Sequence, residues 1–179
     1  PYFESDNTVW INCDAYNLFD RYSPEPGNAA DGWKVETYYE SNFNWINCRA
    51  FNYSDDGFDP HGSGKRIFDN CWAIATDKYA GLTDLWGMER NGYKTTEASG
   101  IDLSEDEHQV IYKNCVAAYD AGTGFITNIA GDGQYSSQPL LLNNLAYYNG
   151  HAYSSLYDGT VRNNIAYGTR NIGPAGEIY

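Results

Sequence analysis

The sequence has few basic residues, and this shortage limits what the protein can bind. Its 179 residues include 11 Lys and Arg against 24 Asp and Glu, which gives a formal charge of −13. Nucleic-acid-binding proteins normally carry a basic face, so we expect no nucleic-acid partner. Apolar residues make up 42% of the chain and charged residues 20%. This balance is typical of a folded domain and argues against disorder.

Long apolar segments and helical periodicity are also missing. No apolar run approaches the about 20 residues that a membrane-spanning helix needs, and the N-terminus shows no basic stretch followed by an apolar one. We therefore expect no membrane association, and any signal peptide has been removed or lies upstream. No window of a dozen residues keeps an apolar period of 3.6, which excludes helical arrays.

Cysteines are few, and their context argues against a disulfide framework or a zinc site. The four are Cys13, Cys48, Cys71 and Cys115. No Cys-x-x-Cys pair occurs among them. All four occupy one position of a repeated motif, and Asn144 and Asn164 replace them in its last two copies. A position filled by either Cys or Asn suits a small inward side chain, so we expect buried, free thiols.

The repeated motif has the form Asn, then Cys or Asn, any residue, then Ala. Its six copies begin at Asn12, Asn47, Asn70, Asn114, Asn143 and Asn163, which are 35, 23, 44, 29 and 20 residues apart. This unequal spacing indicates one structural unit that carries loop insertions of different lengths. A second motif, in which Gly precedes an aromatic residue, follows most copies of the first. Short segments rich in Val, Ile, Trp and Phe, bounded by Gly, Asn or Asp, predict strands in each unit.

A stack of such units predicts an all-β fold, a right-handed parallel β-helix of about six coils with loop insertions. We expect a single β-helix domain over residues 1–179 that belongs to a longer protein, because an uncovered solenoid end exposes strand edges. Equivalent residues of neighbouring coils lie about 4.8 Å apart. We therefore expect the motif Asn side chains to bond from coil to coil. The alternative is that these Asn residues only supply left-handed turns.

Acidic residues gather in the second motif. Alignment on its Gly places Asp31, Asp56 and Asn91 in one column, and Lys34, Asp59 and Lys94 in another. Asp55 adds a fourth carboxylate to the first two coils. Two charges about 4 to 5 Å apart repel by about 3 to 4 kcal/mol at an effective dielectric of 20, so this cluster requires a cation or protonation. Carboxylate oxygens in this number favour Ca²⁺, although Asp-Gly pairs are also ordinary turn chemistry.

Lys94 is the candidate general base. A lysine can accept a proton only if burial or nearby positive charge lowers its pKa, and a bound Ca²⁺ together with Arg90 could contribute this. The alternative is an ion pair between Lys94 and Asp59. Other basic candidates for contact with a substrate carboxylate are Arg49, Lys65, Arg66 and Arg90, because Arg can hold a carboxylate through two parallel hydrogen bonds.

These segments together resemble the family 9 polysaccharide lyases, which are parallel β-helix pectate lyases. The resemblance covers about residues 7 to 168 and is most specific in Ser-Asp-Asp-Gly-Phe-Asp, at residues 54–59. It implies a secreted, Ca²⁺-dependent enzyme that cleaves an acidic uronate polymer, pectate or polygalacturonate, by β-elimination, and we expect it to act as a monomer. In this interpretation Lys94 is the base. The implied Ca²⁺ ligands are Asp31, Asp55, Asp56 and Asp59.

The sequence departs from the family pattern in two places. Lys34 follows Asp-Gly-Trp where a small residue is more usual, and this cation either competes with Ca²⁺ or binds a substrate carboxylate. After Lys94, the run Thr-Thr-Glu-Ala-Ser-Gly replaces a glycine-rich continuation, which would alter the substrate cleft.

Two other functional interpretations are open from the residues alone. One is a non-catalytic β-helix that binds glycan and keeps a structural Ca²⁺ at the aspartates. The other is a β-helix glycoside hydrolase that uses Asp55, Asp56 or Asp59 as acid and base and needs no metal.

Overall fold

The strands of this protein stack into three parallel sheets. A computed structural model describes residues 7–20, 22, 24, 26–75, 90–97, 110–129, 139–154 and 159–168. The first sheet contains β1 (Asn7–Ile11), β4 (Asn42–Ile46), β7 (Arg66–Asp69), β10 (Val110–Lys113), β13 (Leu140–Leu142) and β16 (Thr160–Arg162). The second contains β2 (Asp14–Leu18), β5 (Arg49–Tyr53), β8 (Trp72–Ile74), β11 (Val116–Ala118), β14 (Leu145–Tyr147) and β17 (Ile165–Tyr167). The third contains β3 (Trp33–Glu40), β6 (Phe58–Ser63), β9 (Tyr93–Glu97), β12 (Thr123–Ile129) and β15 (His151–Ser154).

Each coil contributes one strand to each sheet in turn, and the next coil repeats the order one layer further along. Strands β1, β2 and β3 therefore lie beside β4, β5 and β6 in parallel register. Six such coils follow one another, the sixth being described in its first two strands. The predicted right-handed parallel β-helix with loop insertions is confirmed. Within the described ranges, no helix is long and apolar enough to cross a bilayer.

The motif asparagines form the corner between the first and second sheets. All six have a left-handed backbone, with φ between 54 and 57°, a conformation that Asn adopts more readily than most residues. Their side chains also bond between coils: Asn47 Nδ2 donates to Asn12 Oδ1 at 3.0 Å, and Asn70 Nδ2 donates to Asn47 Oδ1 at 2.7 Å. The ladder is interrupted at Asn114, whose Nδ2 donates to Asp69 Oδ1 instead. The expected bonding from coil to coil is therefore confirmed, and the alternative that these residues only supply left-handed turns is wrong.

The cysteine position points into the core, and its Cys and Asn occupants make the same contact. Cys71 Sγ donates to the Trp45 carbonyl at 3.2 Å. Asn144 Nδ2 donates at 3.0 Å to the carbonyl of Tyr112, the equivalent residue two coils further on. All four cysteines are free, and three of them are buried. The expectation of free thiols is confirmed. The small polar side chain at this position donates a hydrogen bond to a carbonyl of the neighbouring strand.

Aromatic ladders fill the remaining interior. From the first sheet, Trp10, Trp45, Phe68 and Tyr112 stack with ring centroids 4.8 to 5.1 Å apart. From the third sheet, Phe58, Tyr93, Phe125 and Tyr153 stack at 4.8 to 5.4 Å. Each stacked pair contributes about 0.5 to 1.5 kcal/mol beyond its buried area. The two ladders meet edge to face, as Trp45 does with Phe58, and pack the third sheet against the first.

Candidate metal and catalytic site

The acidic turns lie where the chain enters the third sheet, and glycine makes that entry possible. Gly57 N donates to the Asn91 carbonyl at 2.9 Å, and Gly32 N donates in the same way to the Asp56 carbonyl at 2.8 Å. A Cβ added at Gly57 would lie 2.6 Å from the Gly92 carbonyl oxygen and 2.8 Å from Ala73 Cβ. The turns can therefore stack only if this position has no side chain, and the Ala of the first motif leaves the space that they need.

Backbone amides of the next coil hold the aspartates of the first column. Asp56 N donates to Asp31 Oδ1 at 3.0 Å. Asn91 donates to Asp56 Oδ1 through its backbone N at 3.0 Å and through Nδ2 at 2.9 Å. Each carboxylate thus keeps its second oxygen, Oδ2, directed away from these amides. The predicted column of Asp31, Asp56 and Asn91 is confirmed by these contacts.

The second predicted column also stacks in register. Lys34 pairs with Asp59 between β3 and β6. The pairs Phe58 with Tyr93 and His61 with Thr96 then place Asp59 opposite Lys94 between β6 and β9. Charges therefore alternate along this column as positive, negative, positive.

Three of the four predicted metal ligands come together. Asp31, Asp56 and Asp59 each offer a carboxylate oxygen, and these oxygens all lie within 4.8 Å of one another. Their side chains are only 0 to 2% exposed. Asp55 is buried next to Asp56 but lies outside this group of three, which we call the carboxylate triad. The triad combines hard oxygen donors with burial, as a site for a hard cation requires.

Two lysines and a histidine contact the triad. Lys94 Nζ lies 2.9 Å from Asp56 Oδ2. The alternative pairing predicted for Lys94, with Asp59, is not the one formed, because Asp59 Oδ2 accepts from Lys34 Nζ at 3.0 Å. His61 Nε2 lies 2.8 Å from both oxygens of Asp59.

His61 was not singled out from the sequence. The signal was the distance of two residues from Asp59 within one strand, which places both side chains on the same face.

The carboxylates differ in how easily they lose a proton. Burial, followed by the neighbouring charges of Asp56 and Asp31, raises the pKa of Asp55 to about 7. Burial also raises the pKa of Asp56 to about 6, although Lys94 works in the opposite direction. The pKa of Asp31 is also raised, by burial and by the negative charge of Asp59. For Asp59, burial is outweighed by His61, Lys34 and Lys94, so its pKa lies below the usual value.

Lys94 is a charged lysine in this arrangement. Burial works to lower its pKa, but attraction to Asp56, Asp59 and Asp55 is stronger, and the pKa lies above its usual value. The nearest charges to Lys94 are negative in the absence of a cation, and the lowering of its pKa by a bound Ca²⁺ stays a prediction.

Two of the three arginine candidates, Arg90 and Arg49, interact with residues that are not members of the carboxylate triad. Arg90 is 3% exposed and interacts with the buried side chains of Tyr53 and Asp120. Arg49 begins a strand of the second sheet, where its Nε donates to Asp14 Oδ1 at 2.7 Å. The roles of Arg49 and Arg90 as substrate contacts stay predictions. Lys34 has its Nζ against the triad, 3.3 Å from Asp31 Oδ2 and 3.0 Å from Asp59 Oδ2.

The three stacked sheets form a parallel β-helix, and a family match indicates that it is of the pectate lyase-like, carbohydrate-active kind. The family model for the Pel9A-like, right-handed β-helix region matches residues 2–166. The chain belongs to this family. No curated protein and no solved structure matches it.

Proposed function

We propose that the protein is a Ca²⁺-dependent polysaccharide lyase that cleaves an acidic uronate polymer, pectate or polygalacturonate, by β-elimination. The observation that carries this proposal is the buried carboxylate triad with Lys94 Nζ 2.9 Å from one of its members, Asp56. The family match supports the carbohydrate-active class. Because such polymers lie outside cells, we also propose that the protein is secreted.

The residues of the triad fit a calcium ion. Three carboxylates whose oxygens lie within 4.8 Å of one another repel strongly when charged. Among the described residues, none donates a well-aligned hydrogen bond to the buried Asp31 Oδ2, although Lys34 Nζ lies 3.3 Å away. We propose Asp31, Asp56 and Asp59 as ligands, with Asp55 as a fourth after a small movement. Hard oxygen donors of this kind favour Ca²⁺ over softer metals.

A bound Ca²⁺ would neutralise the uronate carboxylate and acidify the proton on the adjacent C5. Lys94 supplies the base in this proposal. Asp56 would help to hold the ion, and Lys94 would then lack the ion pair that keeps it protonated and would release its proton to solvent. The neutral amine then takes the C5 proton, and the electron pair of that bond forms the C4–C5 double bond. The C4–oxygen bond breaks, and the leaving glycosidic oxygen takes a proton from solvent.

The experiment that tests this proposal follows two products at once on polygalacturonate. A β-elimination gives an unsaturated uronate that absorbs in the ultraviolet, together with one new reducing end per cleavage. We expect both signals to rise in equal amounts when Ca²⁺ is present. Reducing ends without the absorbance would indicate hydrolysis instead.

A second candidate function is a non-catalytic glycan-binding module with a structural cation. The ion pair of Lys94 with Asp56 favours this candidate, because a charged lysine cannot accept a proton. If neither product forms while polygalacturonate still binds to the protein, this second function is supported.

A further inference from the structure

Lys34 connects two carboxylates that come from different coils. Its Nζ lies 3.0 Å from Asp59 Oδ2 and 3.3 Å from Asp31 Oδ2. Both residues belong to the carboxylate triad, and both side chains are almost fully buried. The ammonium group therefore occupies the place between these oxygens that a bound cation would have to share.

The charge of Lys34 also offsets the repulsion between Asp31 and Asp59. Relief of this repulsion is what would favour the binding of a metal ion. Asp31 and Asp59 repel each other, and the proximity of Asp59 contributes to the upward shift of the Asp31 pKa. A positive group between two carboxylates lowers this repulsion. The gain in free energy when a divalent cation enters is then smaller, because part of the repulsion is already relieved.

The side chain of Lys34 is free to leave this position. It is 42% exposed, compared with 20% for Lys94, and a lysine stem has several rotatable bonds. The backbone of Lys34 is fixed in β3 by its register with Asp59. Its ammonium group can therefore turn toward solvent while the strand stays in place.

We propose that Lys34 is a built-in competitor of the divalent cation, so that cation binding requires its ammonium group to leave Asp31 and Asp59. This inference rests on the calcium site proposed above and adds a limit on how tightly that site binds. It explains why Lys34 contacts two of the proposed metal ligands, Asp31 and Asp59.

Calcium titration by calorimetry tests the proposal on four proteins: wild type, Lys34→Met, Lys34→Arg and Lys113→Met. Methionine keeps the apolar stem of Lys34 and removes its charge. We expect Lys34→Met to bind Ca²⁺ about tenfold or more tightly than wild type and Lys34→Arg to stay near wild type. Lys113 is the matched control, because its Nζ lies 3.1 Å from Asp69 on the first sheet. Its replacement should leave the affinity unchanged.

The outcomes separate this inference from the proposed function. Equal or weaker binding by Lys34→Met, with Ca²⁺ still bound by wild type, overturns the competition and leaves the calcium site intact. Binding by Lys34→Met alone supports the competition and contradicts Ca²⁺ dependence of the wild-type protein. No binding by any variant overturns both.

A measurement on the wild-type protein avoids any folding defect of the variants. Amine acylation followed by mass spectrometry should show Lys34 becoming more reactive when Ca²⁺ is added, while Lys113 stays constant. Unchanged reactivity of Lys34 in the presence of bound Ca²⁺ would overturn the competition.

Discussion

Asp56 and Lys94 form an ion pair between consecutive coils of the third sheet, with Lys94 Nζ 2.9 Å from Asp56 Oδ2. The other oxygen of Asp56 is held by two N–H groups of Asn91. The pair fixes the amine of Lys94 beside the carboxylate triad and links its protonation to the state of Asp56. The proposed base and the proposed metal site are therefore parts of one electrostatic unit.

Replacement of Lys94 by alanine should remove activity and preserve cation binding. Loss of a general base costs about a hundredfold or more in rate, whereas Asp56 keeps its contacts with Asn91 and loses only a competing cation. The rate of unsaturated-product formation and a Ca²⁺ titration measure the two effects. The control is Lys113→Ala, which breaks an ion pair of similar length on the first sheet. Activity retained in Lys94→Ala would remove Lys94 as the base.

Replacement of Asp56 by asparagine should weaken Ca²⁺ binding and activity together. The amide keeps the shape of the side chain and the acceptor for Asn91 but removes the charge that a cation needs. Asp69→Asn is the matched control, because Asp69 pairs with Lys113 at 3.1 Å outside the site. Calorimetry should show weaker binding only for Asp56→Asn. Unchanged binding by that variant would exclude Asp56 as a ligand.

The cation-free protein should lose stability as the pH rises from about 4 to about 7. The pKa of Asp55 is raised to about 7 and that of Asp56 to about 6, from the usual 3.8 of an aspartate. The folded state therefore binds more protons than the unfolded state in this window, and its stability falls as these groups ionise. Melting temperatures in excess chelator should be lower at pH 8 than at pH 5.

Two further measurements check this pH dependence. Asp55→Asn should show a smaller drop in melting temperature between pH 5 and pH 8, because it lacks one of the two carboxyl groups with a raised pKa. Added Ca²⁺ should stabilise the wild-type protein more at pH 8 than at pH 5, since protons no longer compete for the carboxylates. An equal drop in wild type and Asp55→Asn would contradict the assignment to Asp55.

Replacement of Gly57 by alanine should destabilise the fold and disturb the site. The new Cβ would lie 2.6 Å from the Gly92 carbonyl oxygen, and overpacking of this kind costs about 1 to 3 kcal/mol. Urea unfolding should show the lower stability, and the Ca²⁺ affinity should fall because Asp56 precedes this glycine. A variant as stable as wild type would show that the turns can separate without cost.

Repetition made most of the fold readable from the sequence. The copies of one motif predicted coils, and the exchange of Cys115 for Asn144 at one position predicted an inward column. Both residues donate to a carbonyl of the preceding coil, which explains the exchange. A ladder turns positions in an aligned repeat into physical neighbours, so the columns of aspartates and lysines could be predicted as well.

Side-chain partners could not be read from the columns. The alignment placed Lys94 next to Asp59, but the flexible side chain of Lys94 forms its ion pair with Asp56. Asp59 pairs with Lys34 instead. Arg90 is buried beside Asp120, a residue that no motif singled out. A column fixes where the backbone lies, whereas charge and packing around each side chain decide its direction.

The most direct test of the central claim is a chelation cycle on the wild-type protein with polygalacturonate. The rate of increase in ultraviolet absorbance is measured with Ca²⁺, then in excess chelator, and then after Ca²⁺ is restored in the same sample. A rate that disappears and returns is the result expected for a Ca²⁺-dependent lyase built on the carboxylate triad. A rate that continues unchanged in excess chelator would contradict the account.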